Sequence, residues 1–342
     1  MTHLYGVRMT DGMKPGMREQ LEADDYMGPA TFGRRPFLTE PEELDARMPH
    51  AAVVGAPWDG GTSYRPGARF GPRALRSAHT PGTYHLDLEL EIFDHIDVVD
   101  YGDAICTHGM WERSRQAIYD RVHAVASRGI VPLVLGGDHA ITWPAASAVA
   151  DVLGHGRVGL IHFDAHADTA DDVDGNLASH GTPMRRLIES GAIRGRNFVQ
   201  VGLRGYWPPA DVVAWMREQE MRTHFMQEIW EDGIHAVIDR VVAEALDGTD
   251  YIYLSVDIDV LDPGFAPGTG TPEPGGMAPV DLLRIVRRIA TDTRLVGVDV
   301  VEVAPAYDHA DTTANNGHRV LWESISGMAK RRADGLDADR PT

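Results

Sequence analysis

Acidic residues and histidines stand at metal-binding spacings in three segments of this chain. His139 ends the segment VLGGDH, the stretch 164–168 reads DAHAD, and the stretch 257–259 reads DID. Each follows an apolar, β-branched run, and a buried strand should not end in bare charge, because moving an unpaired carboxylate out of water costs several kcal/mol. Divalent cations would pair with these carboxylates and also supply chemistry. The six candidate ligands are His139, Asp164, His166, Asp168, Asp257 and Asp259.

The spacing of these ligands predicts one binuclear site. Alternate residues of a strand face the same way, so we expect Asp164, His166 and Asp168 to converge, with DID repeating the geometry. Carboxylate-rich ligation with a few imidazoles suits Mn²⁺ or another mid-row divalent ion. Cys106 is the only cysteine, which excludes thiolate ligation and an intrachain disulfide and favours a small apolar filler. The Gly-Gly pair before Asp138 could form a phosphate-binding turn, but it lacks the GxxxxGKS/T or GxGxxG spacing.

The elements around these motifs alternate between strands and helices. This alternation predicts a single α/β domain with a mostly parallel sheet and helices on both faces, in which sites lie at the C-terminal ends of strands. We assign residues 1–48 to an N-terminal arm or lid, 49–332 to a catalytic domain and 333–342 to a flexible tail. The expected strands lie in AAVVGAPWDGG, DHIDVVDYGD, VPLVLGG, RVGLIHFDAH, NFVQVGLRG, RTHFM, YIYLSVDIDVLD and RLVGVDVVEVAP.

The bulk composition limits the partners of the chain. Its 342 residues include 51 acidic and 32 basic ones, and the net charge of −19 argues against nucleic acid as a partner. The charge suits a cationic substrate or metals, although a solvated acidic surface explains it more simply. No apolar stretch approaches the roughly 20 residues of a membrane span, and the N-terminus lacks the apolar core of a signal peptide. We expect a cytoplasmic protein without a membrane partner.

Five ordered sequence blocks resemble the ureohydrolase (arginase/agmatinase) family. The blocks are RPGARFGPRALR, GGDH, DAHAD, SVDIDVLDP and VGVDVVEVAPAYD, and the resemblance covers about residues 50 to 330. It is closest to the agmatinase-like branch, which includes agmatinase, guanidinobutyrase, proclavaminate amidinohydrolase and guanidinase. The resemblance implies an arginase-like three-layer sandwich. It also implies hydrolysis of the guanidino group of a small guanidine compound to urea and an amine.

The resemblance further implies two metal ions per subunit, Mn²⁺ first and Ni²⁺ as the alternative known in the guanidinase branch. One ion would be bound by His139, Asp164, Asp168 and Asp257. The other would be bound by Asp164, His166, Asp257 and Asp259, so that Asp164 and Asp257 bridge the pair.

Three residues receive catalytic roles from the same resemblance. Asp168 would accept a hydrogen bond from a metal-bridging hydroxide that attacks the guanidino carbon. Glu302 would form a charge-assisted pair with the guanidinium, and His180 would carry a proton to the leaving amine, for which a histidine pKa near 6.5 is suited. The remaining histidines, among them His155, His162 and His224, are interpreted as surface or core residues.

The sequence leaves the substrate open between agmatine and a guanidino acid such as 4-guanidinobutyrate. Ala170 stands where arginases carry the asparagine that reads the α-carboxylate, which puts arginine in doubt. The acidic loop ADDVDGN favours a cationic tail, whereas GTGTPEPGG and GLRGYWPP resemble the guanidino-acid and guanidinase branches. Arg204 could pair with a substrate carboxylate or hold its loop. Three tryptophans could belong to the core or cap the pocket, namely Trp207, Trp215 and Trp230.

Other functions and assemblies stay open as well. One alternative is a guanidinase-type nickel enzyme acting on free or alkylated guanidine or a biguanide. A second is a non-catalytic metal-binding partner subunit of a ureohydrolase complex, and a third is a deacetylase of the same broad fold with a single zinc. The resemblance implies a homo-oligomer, a trimer or hexamer, with a hetero-oligomer containing a paralogue as the alternative.

Overall fold

A parallel sheet of eight strands forms the centre of the computed structural model, which describes residues 14–24 and 26–337. The strands are β1 (Ala51–Ala56), β2 (Tyr84–His85), β3 (Leu90–Glu91), β4 (Val98–Asp103), β5 (Val131–Gly136), β6 (Val158–Phe163), β7 (Phe198–Val201), β8 (Arg222–His224), β9 (Tyr251–Asp257) and β10 (Leu295–Val301). The sheet order is β4-β1-β5-β10-β9-β6-β7-β8, and every neighbouring pair is parallel. Strands β2 and β3 form a separate antiparallel hairpin.

Helices cover both faces of this sheet. They are α1 (Pro15–Glu22), α2 (Pro41–Arg47), α3 (Gly71–Ser77), α4 (Trp111–Ala126), α5 (Thr142–Leu153), α6 (Pro183–Glu189), α7 (Ala210–Glu218), α8 (Met226–Asp232), α9 (Ile234–Ala245), α10 (Pro279–Asp292) and α11 (Thr312–Ala333). Ala51 and Val53 join one hydrophobic cluster with α9, α10 and α11, while Ala52 and Val54 join another with α4, α5 and α6. Alternate strand residues therefore bury both faces, which gives three layers. Within the described ranges, no helix has the length and hydropathy that a membrane span requires.

The eight strands expected from the sequence correspond to the eight strands of the sheet. Four further features escaped prediction, because the strands of the β2–β3 hairpin have two residues each and the helices α1, α2 and α8 have only seven or eight. Such short segments carry too little periodicity to be recognised. Strand β6 also ends earlier than expected, at Phe163, so the whole DAHAD motif lies beyond the sheet.

The described part of the N-terminal segment packs against the body of the protein. Phe32 is buried, and its ring stacks on His318 of α11 with centroids 4.4 Å apart. Arg34 is also buried and donates to the carbonyl oxygen of Leu21 in α1. Whether residues 1–48 act as an arm or lid stays a prediction, and residues 1–13 and 338–342 lie outside the described part of the chain.

Candidate metal centre and active site

Four adjacent strands of the sheet end at one place. Strands β5, β10, β9 and β6 are neighbours, and their C-terminal ends meet at the same edge because they are parallel. His139 follows β5, the turn 164–168 follows β6, Asp257 ends β9 and Glu302 follows β10. The sheet order therefore brings together side chains from four distant parts of the sequence.

The DAHAD motif converges through a turn and not through the pleat of a strand. The backbone N–H of Ala165 donates to a carboxylate oxygen of Asp259 (3.1 Å), and that of His166 donates to Asp164 (2.6 Å). Asp168 has a left-handed backbone with φ of 53°. The expectation that these residues alternate along a strand is thus wrong, although their side chains do come together. Asp257 and Asp259 are likewise joined by a short 3₁₀ turn, Ile258–Val260.

His139 directs one ring nitrogen at three carboxylates. Its Nδ1 lies 3.1 Å from Asp164, 2.9 Å from Asp168 and 3.2 Å from Asp257, yet it forms a hydrogen bond with none of them. On the other side of the ring, Nε2 lies 2.9 Å from the hydroxyl of Ser255. That hydroxyl donates its only proton to a carboxylate, so it accepts the Nε2 proton and leaves a lone pair on Nδ1. A lone pair facing three carboxylates calls for a cation between them.

A second set of ligand atoms lies beside the first. Two groups of side chains each place their ligand atoms within 4.8 Å of one another; they are His139, His162, Asp164 and Asp168, and then Asp164, His166 and Asp259. Nδ1 of His166 is 3.1 Å from Asp259 and 3.6 Å from Asp164. Asp164 belongs to both groups. Asp257 adjoins the first group, because its carboxylate lies 3.2 Å from Nδ1 of His139. The structure thus contains a buried His/Asp cluster able to hold metal.

The pKa values of the cluster are shifted by closely spaced carboxylates. Burial raises the pKa of Asp257 well above its usual range, and the nearby Asp259 and Asp164 raise it further. Burial alone would lower the pKa of His139. Carboxylates within hydrogen-bonding distance, of which Asp164 has the largest effect, instead raise it well above 6.5. In both groups the neighbouring carboxylates raise the pKa, because negative charge is concentrated in a site with little water. Divalent ions would relieve that charge in place of protons.

His162 contacts the cluster as a hydrogen-bond donor. The side-chain amide of Gln200 lies 3.2 Å from Nδ1 of His162 and donates to it, so the proton of the neutral ring is on Nε2. That Nε2 lies 2.8 Å from Asp164. The interpretation of His162 as a core residue agrees with its full burial, but its contact with Asp164 was not anticipated. The position of His162 two residues before Asp164 is the feature of the sequence that could have indicated this contact.

Glu302 has one carboxylate oxygen engaged and one free. Its Oε1 accepts from the backbone N–H of His139 (2.9 Å) and lies 2.9 Å from Nδ1 of His180. Its Oε2 is buried and has no hydrogen-bond partner within the described residues. Gly270 borders this oxygen, and a Cβ placed on Gly270 would lie 3.3 Å from it. The free oxygen thus faces space that a side chain at position 270 would fill.

The loop after β1 supports His180 from the opposite side. The backbone N–H of Ser63 donates to Nε2 of His180 (3.2 Å), and the Ser63 hydroxyl lies 2.7 Å from the same nitrogen. Asp138, which sequence reasoning did not assign to the site, accepts from the backbone N–H groups of Gly61 and Ala140. Burial, followed by the charge of the nearby Glu302, raises the pKa of Asp138 to about 8. Asp138 thus ties this loop to the turn that carries His139.

Arg204 holds a loop and is not available to a substrate. Its guanidinium donates to the backbone carbonyls of Asp259 (2.7 Å) and Glu273 (2.6 Å), among others. The structure therefore favours a positioning role for Arg204, in which it holds its loop through backbone carbonyls. Ala170 lies in the loop near His180, where its backbone N–H donates to Gly181.

The three tryptophans occupy different environments. Trp207 and Trp230 are 67% and 60% exposed, so neither belongs to the core. Trp215 is partly buried, and the guanidinium of Arg185 lies 4.4 Å from its ring centroid. The core interpretation therefore fits Trp215 only.

Comparison with known proteins adds an independent observation. The family model described as "Arginase family" matches residues 49–326. The chain belongs to the arginase family. This arginase-family protein is 40% identical over 310 residues to a guanidinobutyrase of Pseudomonas aeruginosa, covering 89% of this chain and 93% of that one. It is 36% identical to a human mitochondrial guanidino acid hydrolase (95% and 94% covered) and 40% identical to a chicken mitochondrial agmatinase (87% and 85%).

Solved structures agree with the family assignment. Proclavaminate amidinohydrolase from Streptomyces clavuligerus superposes with a TM-score of 0.80 at 35% identity, covering 90% of this chain and all of that one. The arginase-like α/β fold expected from the sequence is thereby confirmed. This arginase-family protein is a hydrolase of the ureohydrolase type, acting on guanidino or amidino compounds.

Proposed function

We propose that this protein hydrolyses the guanidino group of agmatine or of a guanidino acid such as 4-guanidinobutyrate, releasing urea and an amine. The observation that carries the proposal is Oε2 of Glu302, a buried carboxylate oxygen without a donor in the described part of the chain. A planar guanidinium presents several N–H groups in a fixed fork and matches such an oxygen. Two relatives are named guanidinobutyrase and agmatinase. The compounds in these names share a guanidino group and differ in the tail attached to it.

The metal cluster fits two divalent ions, for which we propose Mn²⁺ first and Ni²⁺ as the alternative. The test of fit is the lone pair of His139 Nδ1 facing three carboxylates, an arrangement that a cation stabilises. We assign the first ion to His139, Asp164, Asp168 and Asp257, and the second to Asp164, His166, Asp257 and Asp259. When bound, such ions lower the pKa of water from about 16 towards 7 and so make a nucleophile available at neutral pH.

The side chains around the cluster would orient the substrate and handle protons. Glu302 would bind the guanidinium through Oε2 while the backbone of His139 and the ring of His180 hold Oε1 in place. His180 would supply a proton to the leaving amine, and Asp168 would accept a hydrogen bond from the attacking water. Because Glu302 and His180 are in contact, we propose that binding of the cationic substrate to Glu302 lowers the proton affinity of His180.

We also propose a homo-oligomer, a trimer or hexamer, located in the cytoplasm. The oligomeric state rests on the resemblance to the family and not on a contact within this chain, whereas the location is the expectation stated from the sequence. A hetero-oligomer with a paralogue would appear as a second chain during purification from the native source.

The test is a urea-release screen of Mn²⁺- and Ni²⁺-loaded protein combined with metal analysis. Compounds should include agmatine, 4-guanidinobutyrate, 3-guanidinopropionate, guanidine, a biguanide and arginine. We expect wild type to bind two metals per chain and Asp259→Ala to lose activity. Asp250→Ala, which removes an exposed partner of Arg157, should keep both the metals and the activity. Urea release from no compound, despite two bound metals, would favour a non-catalytic subunit. One zinc per chain would favour the deacetylase alternative.

A second variant tests the guanidinium-binding role directly. Glu302→Gln keeps the shape of the side chain and removes its charge. We expect kcat/KM to fall by about 100-fold or more, in line with the loss of one charge-stabilising group in an active site. An unchanged kcat/KM would remove Glu302 from its assigned role.

A further inference from the structure

We propose that a cavity between the β2–β3 hairpin and the helices α10 and α11 binds a small zwitterionic amino acid. The cavity has a volume of about 320 Å³, which is within the range of small-molecule sites in proteins. None of the residues that line it belongs to the metal cluster or contacts Glu302. The inference therefore concerns a second site, separate from the one that would hydrolyse a guanidine.

Arg287 of α10 organises the inner end of this cavity. One terminal nitrogen of its guanidinium pairs with Asp87 of the hairpin at 2.9 Å. The other lies 2.6 Å from Nε2 of His85 and 3.4 Å from Oε2 of Glu323 in α11. A guanidinium only donates, so His85 accepts on a ring lone pair and is neutral. Arg287 thus joins the hairpin to both helices and uses its own charge in doing so.

Two opposite charges in the cavity remain open. Arg319 and Glu323 are four residues apart on α11, a spacing at which opposite charges on a helix can pair. Within residues 14–24 and 26–337, however, Arg319 has no hydrogen-bond or ionic partner, and Glu323 is contacted only at Oε2. Glu323 is only 8% exposed. A buried carboxylate with a free oxygen and a free guanidinium therefore lie one helical turn apart.

The balance of charge selects the class of ligand. Arg287 and Arg319 are positive, Asp87 and Glu323 are negative, and the four side chains of the cavity sum to zero. A simple anion at Arg319 would leave Glu323 without a partner, and a simple cation at Glu323 would leave Arg319 without one. A molecule with a carboxylate for Arg319 and an ammonium for Glu323 satisfies both through charge-assisted hydrogen bonds. Such a molecule is an amino acid.

The walls of the cavity suit the apolar part of an amino acid. Trp322 and Ile92 are buried and line its inner side, while Tyr84 is exposed and stands on the hairpin. A chain of a few carbons that covers these rings would be removed from water together with them, which contributes to binding.

Calorimetric titration of the metal-loaded protein with compounds of five carbons tests the assignment. Norvaline has its ammonium beside the carboxylate, 5-aminopentanoate has the two at opposite ends, and pentanoate and pentylamine have one charge each. We expect one of the two amino acids to bind at least about 10-fold more tightly than pentanoate and pentylamine, because only it makes both contacts. The tighter of the two identifies an α- or an ω-amino acid as the ligand.

Variants of α11 connect this preference to the cavity. Arg319→Met and Glu323→Gln should each lower the affinity for the preferred amino acid about 10-fold or more. Arg319→Lys should recover part of it, because it restores the charge without the fork. Arg284→Met removes an exposed arginine of α10 that does not line the cavity, so this matched control should bind as wild type does. Arg319→Met removes no contact within the described ranges, so its thermal unfolding should be unchanged.

Hydrogen exchange locates the bound amino acid, since the metal centre is a second place where a carboxylate could bind. We expect the amides of residues 84–92 to exchange more slowly when the amino acid is bound to wild type, and not in Arg319→Met. Equal affinities for the amino acids and pentanoate, equal affinities in wild type and Arg319→Met, or no binding of either amino acid would overturn the assignment. A change of oligomeric mass in Arg319→Met, measured by light scattering, would also overturn it, because the cavity would then be a contact between copies.

Discussion

The Ser255 hydroxyl determines which nitrogen of His139 faces the metal cluster. Ser255 accepts from His139 Nε2 and donates to Asp299, which also receives the hydroxyls of Tyr253 and Thr142. Groups that orient a metal-binding histidine in this way typically contribute 10- to 100-fold to metal affinity. We therefore expect Ser255→Ala to bind Mn²⁺ about 10- to 100-fold more weakly in a calorimetric titration.

A buried serine away from the cluster provides the control for this prediction. Ser324 donates to the carbonyl of Val320 within α11, so Ser324→Ala removes a similar hydroxyl without touching His139. Equal Mn²⁺ affinities in Ser255→Ala and wild type would show that packing alone fixes the ring.

The contact between His180 and Glu302 makes stability depend on pH. Burial would lower the pKa of His180, but Glu302 raises it to about 9. Because the folded-state pKa is raised, the stabilisation is fully present below the unfolded value of about 6.5 and is lost as pH rises through about 9. The difference between the two values corresponds to at most about 3 kcal/mol.

Chemical denaturation of chelator-treated protein between pH 6 and about 10 would measure this effect. We expect the free energy of unfolding of wild type, relative to His180→Asn, to decrease across that window. A difference that stays constant with pH would mean that the His180–Glu302 pair is not ionic in the folded protein.

Residue types and spacing identified the candidate ligands but not the groups that orient them. Asp164 and Asp257 were found because a carboxylate after an apolar run has no simple structural explanation. Ser255 and Asp299 lie inside such runs, where no sequence spacing marks them as part of the site. Their contact follows from the sheet register, which pairs the two residues directly. The metal-binding and catalytic roles themselves stay predictions.

At the scale of the elements, the end of β10 stores backbone strain at Glu302. Its φ of 62° is left-handed, a conformation that costs a residue with a side chain about 1–2 kcal/mol and costs glycine nothing. We expect Glu302→Gly to be more stable than Glu302→Ala by about 1 kcal/mol in denaturant unfolding. The usual order is the reverse, because glycine has the more flexible unfolded chain. A less stable glycine variant would show that the strain is relaxed elsewhere, and neither variant should hydrolyse a guanidine.

Local pattern predicted the strands well and the turns after them poorly. The alternating polar residues of DAHAD continue the period of β6, which is why they were assigned to the strand. The chain leaves the sheet there because the backbone N–H of Ala165 donates to the side-chain carboxylate of Asp259, 94 residues away. A contact of that range is absent from any local sequence pattern.

At the scale of the whole molecule, one buried arginine connects α1 to the rest of the chain. Arg34 donates to the carbonyls of Gln20 (2.5 Å), Leu21 (3.2 Å), Ala23 (3.0 Å) and Met27 (2.6 Å). Helix α1 has eight residues and a single buried side chain, so it is too short to persist without such support. The expected arm is thus held at its first described helix by the Arg34 guanidinium together with the buried side chain of Leu21.

Arg34→Met should release this helix without unfolding the sheet. We expect the amides of residues 16–22 to exchange hydrogen about 10- to 100-fold faster, as measured by mass spectrometry, while those of β5 and β9 keep their protection. Arg18→Met is the matched control, because it removes an exposed ion pair with Glu22 in the same helix, worth at most about 0.5 kcal/mol. Equal exchange of α1 in the two variants would mean that the apolar contact of Leu21 holds the segment. A loss of protection throughout the sheet would instead make residues 14–48 part of the catalytic domain, because the two would then unfold as one unit.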